Sequence, residues 1–169
     1  MESGFIVVLG LVLLLIVLLA KTSVVVPQQH AYVVERLGRY SGTLSPGFHL
    51  LLPLVDVIRY EHSLKEQVVE LHRQICATRD DRQLEVDGLL RFKIVDPEKA
   101  SYAVHNHLDA LLQLTQMVLR QEIGQLDADR AREDWAPIAA AVTAEIARKA
   151  EPWGIAVLGF ELENMTSPS

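Results

Sequence analysis

Six histidines and one cysteine are the side chains best suited to hold a metal or attack a substrate, so their spacing decides which chemistry is open. The histidines are His30, His49, His62, His72, His105 and His107. Only His105 and His107 are close. Their i, i+2 offset around Asn106 does not put two imidazoles on one helical face, as an i, i+4 zinc pair would. No metal site is expected, and solvated positions beside a helix cap are the reading for this pair. Cys76 sits in Ile75-Cys76-Ala77, where a small buried thiol is the default. A lone cysteine excludes an intramolecular disulfide framework and a multi-cysteine zinc centre. No G-x-S-x-G, H-E-x-x-H or G-x-x-x-x-G-K-[ST] string occurs, and Gly38, Gly42 and Gly47 read as turn glycines. Neither an enzyme nor a cofactor is expected.

The 169 residues are 50% apolar and 22% charged, which excludes a disordered chain. Of 22 acidic and 16 basic side chains only Glu2 precedes Lys21, leaving 16 basic against 21 acidic, a formal −5, for the remainder. That remainder has no basic stripe, so nucleic acid is not an expected partner.

Ahead of it runs an uncharged block. Phe5, Ile6, Val7, Val8, Leu9, Leu11, Val12, Leu13, Leu14, Leu15, Ile16, Val17, Leu18 and Leu19 make fourteen of the fifteen residues from Phe5 to Leu19 apolar. Together they supply about −4 to −8 kcal/mol of preference for a bilayer. Residues 1–4 form a flank, and residues 5–26 are the expected single-pass anchor, with Lys21 snorkelling and Val24, Val25 and Val26 continuing the helix. The flank lacks a positive n-region and the exit lacks a small-x-small cleavage site, so a retained anchor is favoured over a signal peptide. Lys21, Arg36 and Arg39 follow the block while only Glu2 and the α-amine precede it, which points the soluble part to the cytoplasm. The expected location is therefore a cell (inner) membrane.

The soluble part reads as strands followed by helices, the order of an α+β domain. His30–Tyr40 alternates weakly, with Ala31, Val33, Glu35 and Leu37 on one face. Leu84–Val95 alternates cleanly, placing Leu84, Val86, Leu90, Phe92 and Ile94 together. Val55–His62 and Glu66–Ile75 are further expected strands, and Gly42, Pro46 and Gly47 mark a loop. Asp96-Pro97 starts a short helix to about Ala103. Asn106 caps a second, with Leu108, Leu111, Leu112, Thr115, Val118 and Leu119 in a stripe. A third from about Pro137 buries Ile138, Ala141, Val142 and Ile146 and ends at Pro152 and Gly154. Ile155–Glu163 returns as a strand, Leu158, Phe160 and Leu162 opposite Glu161 and Glu163.

Several strings are long enough to carry a family resemblance: VPQQHAYVVERLGRYSGTLSPGFHLLLPLVDVIRY from Val26 to Tyr60, HSLKEQVVE from His62, Glu85-Val86-Asp87-Gly88, Val95-Asp96-Pro97 and Glu151-Pro152-Trp153-Gly154-Ile155. They resemble the stomatin/prohibitin/flotillin group, SPFH or Band 7, and within it the stomatin-like (paraslipin) branch. The resemblance implies a Band 7 domain over 27–165, a mostly antiparallel sheet with packed helices beneath a membrane anchor. It further implies self-assembly into rings or cages that organise membrane patches and associated proteins, with no catalytic residues. Bacterial relatives commonly work beside an NfeD-type membrane protein. Members usually continue into a long coiled coil, whereas here 166–169 form a short tail, which leaves both a truncated member and a trimmed piece of a longer chain open. Arg130 and Arg132 with Glu133 and Asp134 only approximate the charged helix start found there. The expected function is a non-enzymatic, homo-oligomeric scaffold on a lipid bilayer. The alternative is a regulatory subunit of a membrane-bound protease, NfeD-type or AAA type, or of a transporter.

Two local features remain open. Phe48–Val55 (FHLLLPLV) is too short to span and is interrupted by Pro53. Either it is a core-facing loop, or Phe48, Leu50, Leu51 and Leu52 dip into the leaflet beside the anchor. Arg79-Asp80-Asp81-Arg82 and the run containing Asp129, Arg130, Arg132 and Glu133 are either solvated turns or complementary contacts between subunits.

Overall fold

The computed structural model describes residues 8–14, 16, 17 and 22–167. The chain divides into two compact units, Met1–Ser63 and Leu64–Ser169.

Within the first unit, residues 8–14, 16 and 17 are helical and exposed. Phe5, Ile6, Val7, Leu15, Leu18 and Leu19 of the expected anchor lie outside the described residues. Among the described residues no helix is long and apolar enough to cross a membrane. The anchor's expected C-terminal limit at residue 26 is corrected: Ser23–Val26 is strand β1, not helix. Three successive β-branched valines favour the pleated backbone, and β4 (Gly47–Leu50) supplies the antiparallel ladder, Val25 facing Phe48 and Ser23 facing Leu50.

The expected single strand His30–Tyr40 is two, β2 (His30–Arg36) and β3 (Arg39–Leu44), joined by Leu37-Gly38. Leu37 and Gly38 have φ of 51° and 79°, the left-handed pair of a two-residue hairpin turn. β5 (Asp56–Ser63) pairs on the other side, giving the order β3-β2-β5. Irregular register at Val33/Val34 and Val34/Glu35 lets Val33 and Val34 both be buried, so the expected face fails at Leu37, which is 81% exposed. The glycines expected in a loop belong to strands, Gly42 to β3 and Gly47 to β4, leaving Ser45-Pro46 as the connection.

The second unit is a three-stranded antiparallel sheet, β6 (Gln67–Ala77), β7 (Gln83–Ile94) and β8 (Ile155–Thr166), with helices on one face. Central β7 follows its alternation: Leu84, Val86, Leu90, Phe92 and Ile94 are all buried. Fully burying such side chains contributes about 1.5–3 kcal/mol each. At Gly88, on the same face, an added Cβ would lie 2.6 Å from Phe160 Cζ and 2.8 Å from the Glu161 carbonyl. Only glycine lets the Phe160 ring cross the strand there.

Helix α1 (Pro97–Tyr102) starts as expected, the Asp96 carboxylate accepting the Lys99 N–H at 3.1 Å. In α2 (His107–Ile123), Asn106 Oδ1 accepts the Leu108 and Asp109 N–H groups while its amide donates to Asp109 Oδ2 at 2.7 Å. Its stripe holds at Leu111, Thr115, Val118 and Leu119, but Leu108 is 42% exposed and Leu114 and Ile123 are buried instead. A short helix α3 (Ala128–Glu133), not expected from the sequence, precedes α4 (Trp135–Ala150). Helix α4 buries Ile138, Val142, Ile146 and Ala150, while Ala141 is exposed because it falls on the turn facing away. The helix ends at Ala150, and the two expected terminators follow it, Pro152 in a 3-10 turn, Glu151–Trp153, and Gly154 at φ 71°.

Candidate functional site

The first unit carries an apolar end held together by backbone hydrogen bonds. Leu51 N–H donates to the Thr22 carbonyl at 2.8 Å, tying the loop after β4 to the point where the N-terminal apolar block gives way to β1. Leu52 N–H donates to Asp56 Oδ2 at 2.9 Å, and the Leu52 carbonyl accepts Val55 N–H at 3.3 Å and Asp56 N–H at 2.9 Å. Leu37 N–H donates to the Val55 carbonyl at 3.3 Å, bringing the β2–β3 hairpin tip to the same loop.

Four leucines on this frame face outward: Leu37 is 81% exposed, Leu50 66%, Leu52 52% and Leu54 98%. Phe48 and Val25, opposite each other across β1 and β4, are exposed as well. The core-facing reading of the Phe48–Val55 run is thereby corrected, because the ladder directs Phe48 and Leu50 out of the unit. Of the residues expected to dip into a leaflet, Phe48, Leu50 and Leu52 are exposed and Leu51 is half-buried.

Leu37 and Leu54 were not expected at this surface. Both are in the left-handed region, at φ 51° and 68°, which costs an L residue about 1–2 kcal/mol and favours Asn or Gly. Leucine therefore occupies two positions where neither backbone preference nor burial asks for it. The signal in the sequence was Arg36-Leu37-Gly38-Arg39, a turn-forming Leu-Gly pair flanked by charges.

Arg36 and Asp56 anchor the frame. The guanidinium donates from Nε to Oδ1 at 2.7 Å and from Nη2 to Oδ2 at 3.0 Å, with the Asp56 side chain only 3% exposed. The hydrogen bond from Arg36, then that from the Leu52 N–H, hold the Asp56 carboxyl below the usual carboxylate range. Beside the pair is a pocket of about 160 Å³ whose apolar walls are Val34, Leu44, Leu50 and Leu51.

The charged residues expected between subunits are engaged largely within the chain. Arg79 pairs with Asp127 at 3.1 Å, and Arg82 pairs with Asp80 and with Asp129, both at 3.2 Å. Asp80 Oδ1 accepts the Thr78 hydroxyl at 2.6 Å and the Ala128 N–H at 3.1 Å, so the β6–β7 turn clamps the start of α3. Arg132 instead contacts the Ser167 hydroxyl. Asp81, Arg130 and Glu133 make no ion pair among the described residues.

Cys76 is fully buried, and burial pushes its thiol up to about 11. His62 is also buried, and burial pushes His107 down from its ordinary value. Among the described residues no three His, Cys, Asp or Glu side chains are grouped to hold a metal ion.

Residues 24–169 match the SPFH domain / Band 7 family. Stomatin-like protein 2, mitochondrial, from Homo sapiens is 41% identical over 143 residues, 85% of this chain and 40% of that protein. Stomatin-like protein stl-1 from Caenorhabditis elegans is 37% identical over 144 residues, 85% of this chain and 44% of that protein. An uncharacterized protein of Mycobacterium bovis is 31% identical over 166 residues, 98% of this chain and 44% of its own. The chain thus spans less than half the length of these relatives. With nearly all of its strands and helices inside the matched range, the chain belongs to the SPFH domain / Band 7 family.

Proposed function

We propose that this protein is a non-enzymatic scaffold held at a membrane by its N-terminal apolar block, which self-associates to organise a membrane patch and its proteins. The observation that carries the membrane part is the hydrogen bond between Leu51 and Thr22. It sets the exposed leucines next to the exit of the apolar block, so a block inserted in a bilayer brings Leu50 and Leu52 to its surface. The block alone supplies about −4 to −8 kcal/mol toward insertion, and the exposed apolar side chains add a second, lateral contact. A membrane boundary ahead of β1 is supported by the helical residues 8–14, 16 and 17 and by the strand that starts at Ser23. The charge asymmetry around the block favours a cytoplasmic domain at an inner membrane.

Tethering confines copies to a shared surface and raises their effective concentration, so weak lateral contacts suffice for assembly. Of the charges expected to make such contacts, Asp81, Arg130 and Glu133 make no ion pair among the described residues. Partners include the bilayer, further copies of this chain and an NfeD-type membrane protein or membrane protease.

Flotation with liposomes tests the membrane contact after deletion of residues 4–20. The remainder is expected to float, and Ser at Leu37, Leu50, Leu52 and Leu54 to abolish it. No flotation, or equal flotation by both, removes the lateral contact. Cross-linking of the full chain in native membranes tests assembly: a ladder of self-multiples is expected, and a single heteromeric band instead assigns the chain to a partner as its regulatory subunit.

A further inference from the structure

We propose that the β2–β3 hairpin tip binds the phosphodiester of a glycerophospholipid between Arg36 and Arg39, with Leu37 entering the acyl layer; this rests on the membrane contact proposed above. Arg36 faces Arg39 on one side and Asp56 on the other in the register of β3-β2-β5, so the three side chains share one face of the sheet. Like charges directly opposite each other across strands are destabilising. The single carboxylate compensates only Arg36, which it grips through Nε and Nη2. Arg39 is exposed and makes no ion pair among the described residues. The row thus carries one uncompensated positive charge, and a phosphodiester supplies one negative charge with two oxygens that fit a guanidinium fork.

Geometry separates a lipid phosphate from a free one. The two arginines bracket Leu37-Gly38, with Leu37 81% exposed and Leu54 displayed beside it. Leucines at the tip and arginines behind it reproduce the order of acyl chains and phosphates in a leaflet. Asp56, buried and also bonded to Leu52, pre-orients Arg36 as a positioning residue. Next to Arg36 the pocket of about 160 Å³, with Ser41 and Gly42 in its lining, receives the start of the glycerol ester.

The full chain in dodecyl maltoside micelles is titrated with dihexanoyl phosphatidylglycerol, inorganic phosphate and phosphate-free dihexanoylglycerol, with retention read by native mass spectrometry. One phospholipid is expected to be retained saturably, and Arg39→Gln to weaken it about fivefold. Arg39 makes no ion pair among the described residues, so this variant keeps its fold. Arg36→Gln/Arg39→Gln weakens retention further, Arg39→Lys restores it only in part because it keeps the charge and loses the fork, and the other two ligands are held far more weakly. Unchanged retention by the double variant, equal retention of dihexanoylglycerol, or phosphate held as tightly as the phospholipid each overturns the proposal. A nitroxide at Leu37→Cys in a Cys76→Ala background, in phospholipid nanodiscs, separates the two readings. A label inside the bilayer with retention insensitive to the arginines sinks only the phosphodiester site. A label in water sinks the membrane contact and this site together.

Discussion

Thr143 Oγ1 accepts the Phe160 backbone N–H at 3.0 Å while donating to the Ala139 carbonyl at 2.7 Å, stitching α4 to β8. The bond lies next to the register shift between Arg91 and Phe92, where Leu158 of β8 is left without a Cα partner on β7. A side chain on the helix thus satisfies a strand donor beside a local break in the ladder. Thr143→Val keeps the shape and leaves that N–H unpartnered. A loss of about 1–3 kcal/mol is expected in urea unfolding, largely restored by Thr143→Ser.

Two glycines are expected to resist substitution for different reasons. Gly88→Ala drives a Cβ against the Glu161 backbone at 2.8 Å, which cannot swing aside as a side-chain tip can. Gly154→Ala combines φ 71° with collision against the Asp96 carbonyl. Each should cost about 1–3 kcal/mol by thermal or chemical unfolding, whereas Gly42→Ala, with open space and an ordinary φ, should be close to neutral.

Leu37 and Leu54 oppose stability to function. Leu37→Asn and Leu54→Gly replace leucines at positive φ by residues that accept it. Each variant should hold or raise the free energy of unfolding, by up to about 1 kcal/mol, while reducing liposome flotation of the form lacking residues 4–20. Destabilisation of both variants would show that these leucines are packed rather than displayed.

Acid unfolding should report Glu145 and Asp80. Hydrogen bonds from Arg148 and then Lys149 hold the Glu145 carboxyl at about 2, and the Thr78 hydroxyl heads the contacts that lower Asp80. Both folded-state values are depressed, so their stabilisation is present above the ordinary carboxylate range and disappears as pH falls toward the folded values. Between about pH 4.5 and pH 2, the window set by Glu145, stability of the wild type should fall more steeply than that of Glu145→Gln/Asp80→Asn.

Cys76 should be chemically silent in the folded chain. With its thiol raised to about 11 and its side chain buried, the thiolate fraction at pH 8 is on the order of one in a thousand. Iodoacetamide should modify it slowly in buffer and promptly in urea. Fast labelling in buffer would show that the β6 end of the core opens.

Elements governed by periodicity and local chemistry were legible along the chain. The alternation of Leu84 to Ile94 marked central β7 because one face of that strand is wholly buried. Asp96-Pro97 and Asn106 marked two helix starts because a cap bonds within three residues of itself. The family strings from Val26 to Ile155 were legible for the same reason, as runs of fixed type and order. Tertiary structure alone decided the fate of the valines after Thr22, since their strand exists only through pairing with a segment more than twenty residues later. It alone paired Arg79 and Arg82 within the chain, because Asp127 and Asp129 lie 47 or 48 residues away along it. The outward display of Leu37 and Leu54 was hidden too. A hydrophobic side chain in a turn carries no mark of which way it faces until long-range hydrogen bonds, here from Leu37 to Val55 and from Leu51 to Thr22, set the frame that holds it.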